Sequence, residues 1–222
     1  MARFTLTSGN ELLFDDGGMN LLSSSALHEL RDLLSSAQPR DRATAQPLFF
    51  RSARPDIFAA GADMAEMQRF SPREAYEFAR LGQEVFETIE RAPFLTIAMI
   101  DGDCFGGALD LILAFDIRLA TPRSRFAHPG ARIGIVTGFG GTSRWRKVLT
   151  RPAANQLFLA NRVFDANEAL NFGLVDRVAE SLDDEIARMS ALDPAATQLV
   201  KELARGTELS RIELLRLAKR SG

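Results

Sequence analysis

Cysteine is almost absent. The 222-residue chain holds one, Cys104, so it cannot build an internal disulfide framework, and a reducing compartment, the cytoplasm, is the expected setting. No apolar run approaches the ~20 residues that a membrane-spanning helix needs. The longest, Phe94 to Ile100, suits a buried strand. The opening Met1-Ala2-Arg3-Phe4-Thr5 lacks the apolar stretch of a secretory signal, so no leader is expected. Charge of one sign is scarce as well. Lys and Arg number 27 against 29 Asp and Glu, interleaved, for a net −2. That balance carries no footprint of nucleic acid or of an anionic membrane, and neither partner is expected. There is no Walker loop, no serine-nucleophile elbow and no His or Cys cluster with metal spacing, so no metal is expected. Gly138-Phe139-Gly140-Gly141-Thr142-Ser143 fails the dinucleotide fingerprint, because Ser143 stands where its third glycine belongs.

What remains is an ordinary globular composition, 46% apolar and 25% charged, at a length suited to one sizeable domain or one with a small appendage. Residues 2–7 and 11–15 read as short strands around the Ser8-Gly9-Asn10 turn. A helix over 23–34 places Leu27, Leu30 and Leu34 on one face. Leu48 to Ser52 is a strand, and a loop is expected over 53–62. Ser71-Pro72-Arg73-Glu74 combines a cap, a first-turn proline and an acid. It starts a helix to about Arg91 with Phe78, Leu81, Val85, Phe86 and Ile89 inward. Strands follow at 95–100, 117–120, 125–127 and 174–178. Helices are expected at 108–115, 142–149, 152–160 and 166–172, and from Leu182 onward with a break near Asp193-Pro194. Strands alternating with helices place the chain in the α/β class.

Three loops are built from small residues. Phe58-Ala59-Ala60-Gly61-Ala62-Asp63-Met64 allows another backbone or a ligand to come close. In Cys104-Phe105-Gly106-Gly107-Ala108-Leu109-Asp110 two glycines open a helix, so an unpaired amide and the positive end of the helix dipole face outward. The third runs from Gly134 to Gly141. Singly, each loop is as well explained by a plain turn.

In order and spacing these loops resemble the enoyl-CoA hydratase/isomerase (crotonase) superfamily. Residues 58–67 look like its "F-x-A-G-A-D-[IL]-x-E-M" loop, and 97–120 like its central strand, glycine turn and helix. Residues 126–142 look like "F-x-x-P-E-x-x-x-G-x-x-P-G-x-G-G-T", and 166–175 like "A-x-E-A-x-x-x-G-L-V". The resemblance covers roughly 2–180. It implies a spiral of ββα units over 1–180, with 181–222 as a short C-terminal helical segment, and assembly as a homo-oligomer, a trimer or hexamer. It implies an acyl-CoA thioester as substrate, with no further cofactor. The amides of Ala62 and Gly107 would hold the thioester oxygen; preorganised donors of this kind contribute about 3–4 kcal/mol each to an enolate-like transition state. Ala60, Ala62, Asp63, Met64, Gly106, Gly107 and Gly130 would line the substrate.

The chain also departs from that pattern. Of the two glutamates a hydratase of this family uses, the first position is Asp110, one methylene shorter, and the second is Gly130, with no carboxylate. Asp110 reads either as the acid/base or as a helix-start charge answering the dipole. His128, two residues before Gly130, is a proton carrier or a structural histidine. Asp63 reads as a ligand contact or as the cap of the next helix. Cys104 reads as packing, and His28 as surface. The family's "D-x-x-E-G-x-x-A-F" segment is missing after Leu192, which implies an acyl pocket that is more open or completed differently; Leu199 to Lys219 reads as an amphipathic helix. Three functions follow: hydration or isomerisation of an enoyl-CoA, decarboxylation or thioester hydrolysis, or acyl-CoA binding without chemistry.

Overall fold

The computed structural model describes residues 2–36 and 45–204. The chain coils in successive turns. The first contains β1 (Phe4–Leu6), β2 (Glu11–Phe14), β3 (Leu21–Leu22) and α1 (Ser24–Ser36). The second contains β4 (Leu48–Ser52), β5 (Ile57–Ala59), β6 (Gly61–Ala62), α2 (Met64–Met67) and α3 (Pro72–Glu90). The third contains β7 (Thr96–Ile100), β8 (Asp103–Phe105) and α4 (Gly107–Ile112). The fourth contains β9 (Ile117–Ala120), β10 (Arg125–Ala127) and a 3₁₀ turn at Pro129–Ile133. Then come α5 (Gly141–Val148), α6 (Arg151–Ala154), a wider π turn at Asn155–Leu159, β11 (Phe164–Asp165), α7 (Ala166–Asn171), β12 (Arg177–Val178), α8 (Leu182–Ser190) and α9 (Pro194–Ala204).

Each turn lays its first long strand beside that of the turn before. The result is a six-stranded sheet in the order β1-β2-β4-β7-β9-β12, parallel throughout except for the β1–β2 hairpin. The second strands make a four-stranded sheet, β11-β10-β8-β5, and β3 pairs with β6 alone. This is the expected spiral of ββα units. Its centre, β7, is buried at every residue, as a parallel strand covered on both faces must be.

Local chemistry sets the helices. In α3 the Ser71 side chain accepts from the Glu74 amide, and the Glu74 carboxylate accepts from the Ser71 amide at 2.7 Å, a reciprocal cap. The face so presented buries Val85, Phe86 and Ile89 completely, each worth roughly 2–3 kcal/mol of transfer free energy at most. Asn20 ties the first two turns together. Fully buried and in left-handed backbone (φ 54°), its side-chain amide donates to the carbonyls of Phe14 and Phe58 and to Ser52 Oγ.

Of the short strands, β10 falls where it was expected, β5 and β6 lie in the stretch expected to be loop, and β8 was not expected. β5, β6 and β8 are two or three residues long and pair with partners distant in sequence, so no local alternation announces them. The expected strand at 174–178 shrinks to Arg177–Val178, because the amides of Leu174 and Val175 turn back onto the Ala169 carbonyl. Of the amphipathic stretch expected over 199–219, the residues from 205 onward lie outside the described residues. α8 sets Leu182 and Met189 against Phe49, Ile97, Met99 and Leu119 of the six-stranded sheet. Lys201 of α9, 7% exposed, reaches the Phe94 carbonyl and Asp116.

The turn from β7 to β8 has no room for a side chain. Gly102 has φ +86°, and a Cβ there would stand 2.1 Å from the carbonyl carbon of Asp56. Gly102→Ala should cost about 2–4 kcal/mol, from strain and overlap together. A urea unfolding midpoint unchanged from the parent would disprove this.

Candidate functional site

β5 and β8 are parallel hydrogen-bonded neighbours, and both run into glycine at their C-terminal ends. β5 passes into Gly61 (φ +94°), and β8 into Gly106 (φ 56°), which caps α4. A Cβ on Gly61 would lie 2.7 Å from the Gly107 nitrogen, and one on Gly107 would lie 3.3 Å from the Ala62 nitrogen. The small residues are there because two backbones meet. Asp63 donates its amide to the Leu22 carbonyl on the β3 side, so the preceding amide, that of Ala62, points the other way, towards α4. Gly107 is the first residue of α4, and its amide has no acceptor within the helix.

Both residues border a cavity of about 290 Å³. Its wall is mainly apolar: Met67, Phe70, Phe78, Ile133, Ile135 and Phe139. Phe139 packs edge-on to Phe78 and Phe86, with ring centroids 5.1 and 5.5 Å away. A Cβ on Gly82 would strike its ring at 2.1 Å, so glycine in α3 is what lets the phenyl ring settle there. The loop carrying Phe139 is tied down: Gln83 donates to the Gly138 carbonyl at 2.6 Å, and Arg144 to the Phe139 carbonyl at 2.9 Å while its Nε holds Glu90 at 3.0 Å.

His128 borders the cavity too, and behind it lies a buried acid, Asp110. Asp110 is fully buried, and neither carboxyl oxygen has a hydrogen-bond partner of ordinary geometry. Burial pushes its pKa up to about 8, against the pull of the Arg144 guanidinium and the nearby Gly141 amide. Burial thus favours the uncharged carboxylic acid at this position. His128 is 6% exposed, and its Nε2, also unpartnered, faces Asp110 Oδ1 at 3.9 Å. Burial holds its pKa below the usual histidine range. Phe158 packs against the imidazole at 4.8 Å.

The structure gathers most of the expected site. Ala60, Ala62, Met64, Gly106, Gly107, His128 and Gly130 all border the cavity. Asp63 does not: its carboxylate caps α2 through the Glu66 amide at 3.0 Å. Asp110 also lies off the wall, behind it. Cys104 is fully buried and His28 is exposed. Sequence reasoning missed Phe139 as a wall of the site and Gly141 as the backbone lying against Asp110; both belong to the glycine-rich third loop. Among the described residues no cluster of three or more His, Cys, Asp or Glu side chains could hold a metal ion, and no helix is long and apolar enough to cross a membrane.

Comparison with known proteins agrees with this geometry. The sequence pattern of the enoyl-CoA hydratase/isomerase family matches residues 12–217. A crotonyl-CoA hydratase of Syntrophomonas wolfei is 34% identical over 189 residues, 84% of this chain and 72% of that protein. A short-chain-enoyl-CoA hydratase of Clostridium acetobutylicum is 32% identical over 190 residues, 83% of this chain and 72% of that one. Among solved structures, an enoyl-CoA hydratase/carnitine racemase of Magnetospirillum magneticum superposes with a TM-score of 0.86 at 27% identity, covering 98% of this chain and 86% of the other.

Proposed function

The chain belongs to the enoyl-CoA hydratase/isomerase family, and from that premise we propose that it hydrates a short enoyl-CoA through a thioester enolate. The observation that carries this reading is the convergence of two backbone donors, at Ala62 and Gly107, on an apolar cavity that His128 borders, with the unpartnered carboxyl of Asp110 behind it. The thioester oxygen accepts from the two amides. As water adds to the far carbon of the double bond, the π electrons move onto that oxygen, where fixed donors stabilise the charge. Asp110 and His128 handle the protons. The acyl chain occupies the space bounded by Phe70, Phe78 and Phe139. The protein works as a homo-oligomer, trimer or hexamer, in the cytoplasm; light scattering checks the assembly.

Crotonyl-CoA is the first substrate to try, followed by loss of the conjugated-thioester absorbance. Turnover at rates typical of enzymes supports the reading. Inertness towards crotonyl-CoA and towards a 3-enoyl-CoA sinks it. Gly130 supports one competitor, decarboxylation, which needs the oxyanion donors but no second carboxylate; release of CO₂ from malonyl-type thioesters would establish it. A binding-only role fits less well, since a pair of unpartnered buried titratable groups is costly to keep without a use.

Proline removes the donor at position 107, and the first helical position tolerates its missing amide, although its Cβ would press on the Phe139 ring at 3.1 Å and on the Ala62 nitrogen at 3.3 Å, which must give by a few tenths of an ångström. Gly107→Pro is expected to lower kcat by about 10²–10³-fold, with CoA still bound in a calorimetric titration. A kcat within a factor of three of the parent would take this amide out of the mechanism.

A further inference from the structure

His128 is turned in a way that the proton chemistry above leaves unused. Its Nε2 faces Asp110 and is shut off from solvent. The opposite edge, Cε1 and Nδ1, is turned to Gly130, where a Cβ would stand 2.9 and 3.1 Å from those two atoms. Gly130 and His128 both border the cavity, and Asp110 does not. Any side chain at 130 would begin between Nδ1 and the Ile135 carbonyl oxygen, which a Cβ would meet at 2.6 Å. Glycine at that position therefore does two things at once: it removes a carboxylate and it uncovers a ring nitrogen. The ring is fixed for the task, with Phe158 against its face and Asp110 behind its inner nitrogen.

We infer that His128 is the catalytic group that exchanges protons with the carbon beside the thioester, through Nδ1, in the place vacated at Gly130, and that Asp110 is a positioning residue acting through Nε2. This deepens the hydratase reading and rests on it. In the tautomer that carries its hydrogen on Nε2, towards Asp110 Oδ1 at 3.9 Å, the neutral imidazole keeps an electron pair on Nδ1, and the ring gives up its interaction with the His128 backbone to use it. That pair takes a proton from water as the water oxygen bonds to the far carbon, and the double-bond electrons pass to the thioester oxygen. The enolate then restores its carbonyl, and the near carbon takes the proton from Nδ1. Water has been added, the imidazole is neutral again, and no oxidant or reductant is involved. Without a double bond, the same atom should still remove and return the hydrogens next to the thioester of a saturated acyl-CoA.

The test measures two rates in wild type, His128→Gln and His128→Asn: hydration of crotonyl-CoA, and exchange of the hydrogens beside the thioester of butyryl-CoA in D₂O by NMR. Both rates should fall about 10²-fold or more in both variants, with butyryl-CoA bound within about threefold of wild type by calorimetry. A His128→Ala variant should regain part of the exchange when imidazole is added. A variant that binds butyryl-CoA and exchanges at the wild-type rate overturns the inference and leaves the hydratase reading standing. A wild type inert in both assays overturns the two together. Because the chain has two histidines, ¹⁵N-labelled His28→Asn shows His128 alone. Acetoacetyl-CoA should then shift its Nδ1 resonance, and an unmoved resonance overturns the inference even if no His128 variant folds.

Discussion

Asp110→Asn should turn over crotonyl-CoA about 10²-fold or more slowly than wild type, and should gain stability relative to it as the pH is raised. The two halves have one cause. Asp110 is buried without a good hydrogen bond, and burial lifts its pKa from 3.8 to about 8. The folded state therefore holds this proton more tightly than the unfolded chain. Between about pH 4 and pH 8 the folded state binds more protons at this site, so the site's contribution to stability falls as pH rises through that window and levels off above it. Asparagine has no proton to lose. The difference in unfolding free energy should move in favour of Asp110→Asn by several kcal/mol from pH 4 to pH 9. Urea titrations at each pH measure it; a constant difference would show that the carboxyl ionises normally.

The rate carries the opposite demand. An imidazolium forming at His128 is stabilised by an ionised neighbour, so wild-type kcat should rise with pH through about 8, and that limb should be missing in the asparagine variant. The charged and titratable groups facing Asp110 do not supply the limb. Arg144 is committed to Glu90. His128 titrates lower, because burial depresses it. The Cys104 thiol is pushed well above its ordinary range by its own burial. A wild-type profile flat from pH 6 to 9 would refute this assignment.

The second large effect is expected at a residue with no chemistry of its own. A Cβ on Gly141 would stand 1.8 Å from Asp110 Oδ1 and 2.5 Å from its carboxyl carbon. Gly141 is the first residue of α5 and is buried, so neither side can swing into solvent. In Gly141→Ala the carboxyl must leave its place beside His128, or α5 must shift and carry Phe139 with it. Turnover should drop about 10²-fold, since near-attack geometry is lost by displacements of about 1 Å, and stability should fall by about 1–3 kcal/mol. Gly141 is not among the glycines in left-handed backbone, so alanine there meets the carboxyl without backbone strain. Wild-type turnover in Gly141→Ala would show that the encounter is relieved without moving Asp110 away from His128.

The sequence made the long, self-sufficient elements legible. α3 declares itself through its cap, its proline and its apolar stripe, and β7 through an unbroken apolar run. The close approach of two backbones was legible too, because glycine and alanine at Gly61, Ala62, Gly106 and Gly107 reflect a local need for closeness. Asp63 shows where such reading stops. Its motif fitted a ligand contact and a helix cap equally, and only the 3.0 Å bond to Glu66 decides between them. Phe139 and Gly141 escaped because their roles depend on partners far away in the chain, Gly82 and Asp110. Gly130 looked like a loss until the imidazole edge beside it could be seen. β5 and β8 were invisible for a related reason: β5 is a strand because β8 is there, and β8 because β5 and β10 flank it.

That dependence has a consequence for the two amides. Gly107 follows β8 through Gly106, and Ala62 follows β5 through Ala60 and Gly61, so where they stand depends on the pairing of β5 with β8 rather than on the reach of any side chain. Side chains around the site, those at positions 110 and 130 among them, can then change without moving the two amides. On the reading proposed above, such a protein would change what it does to a thioester more readily than it would forget how to hold one.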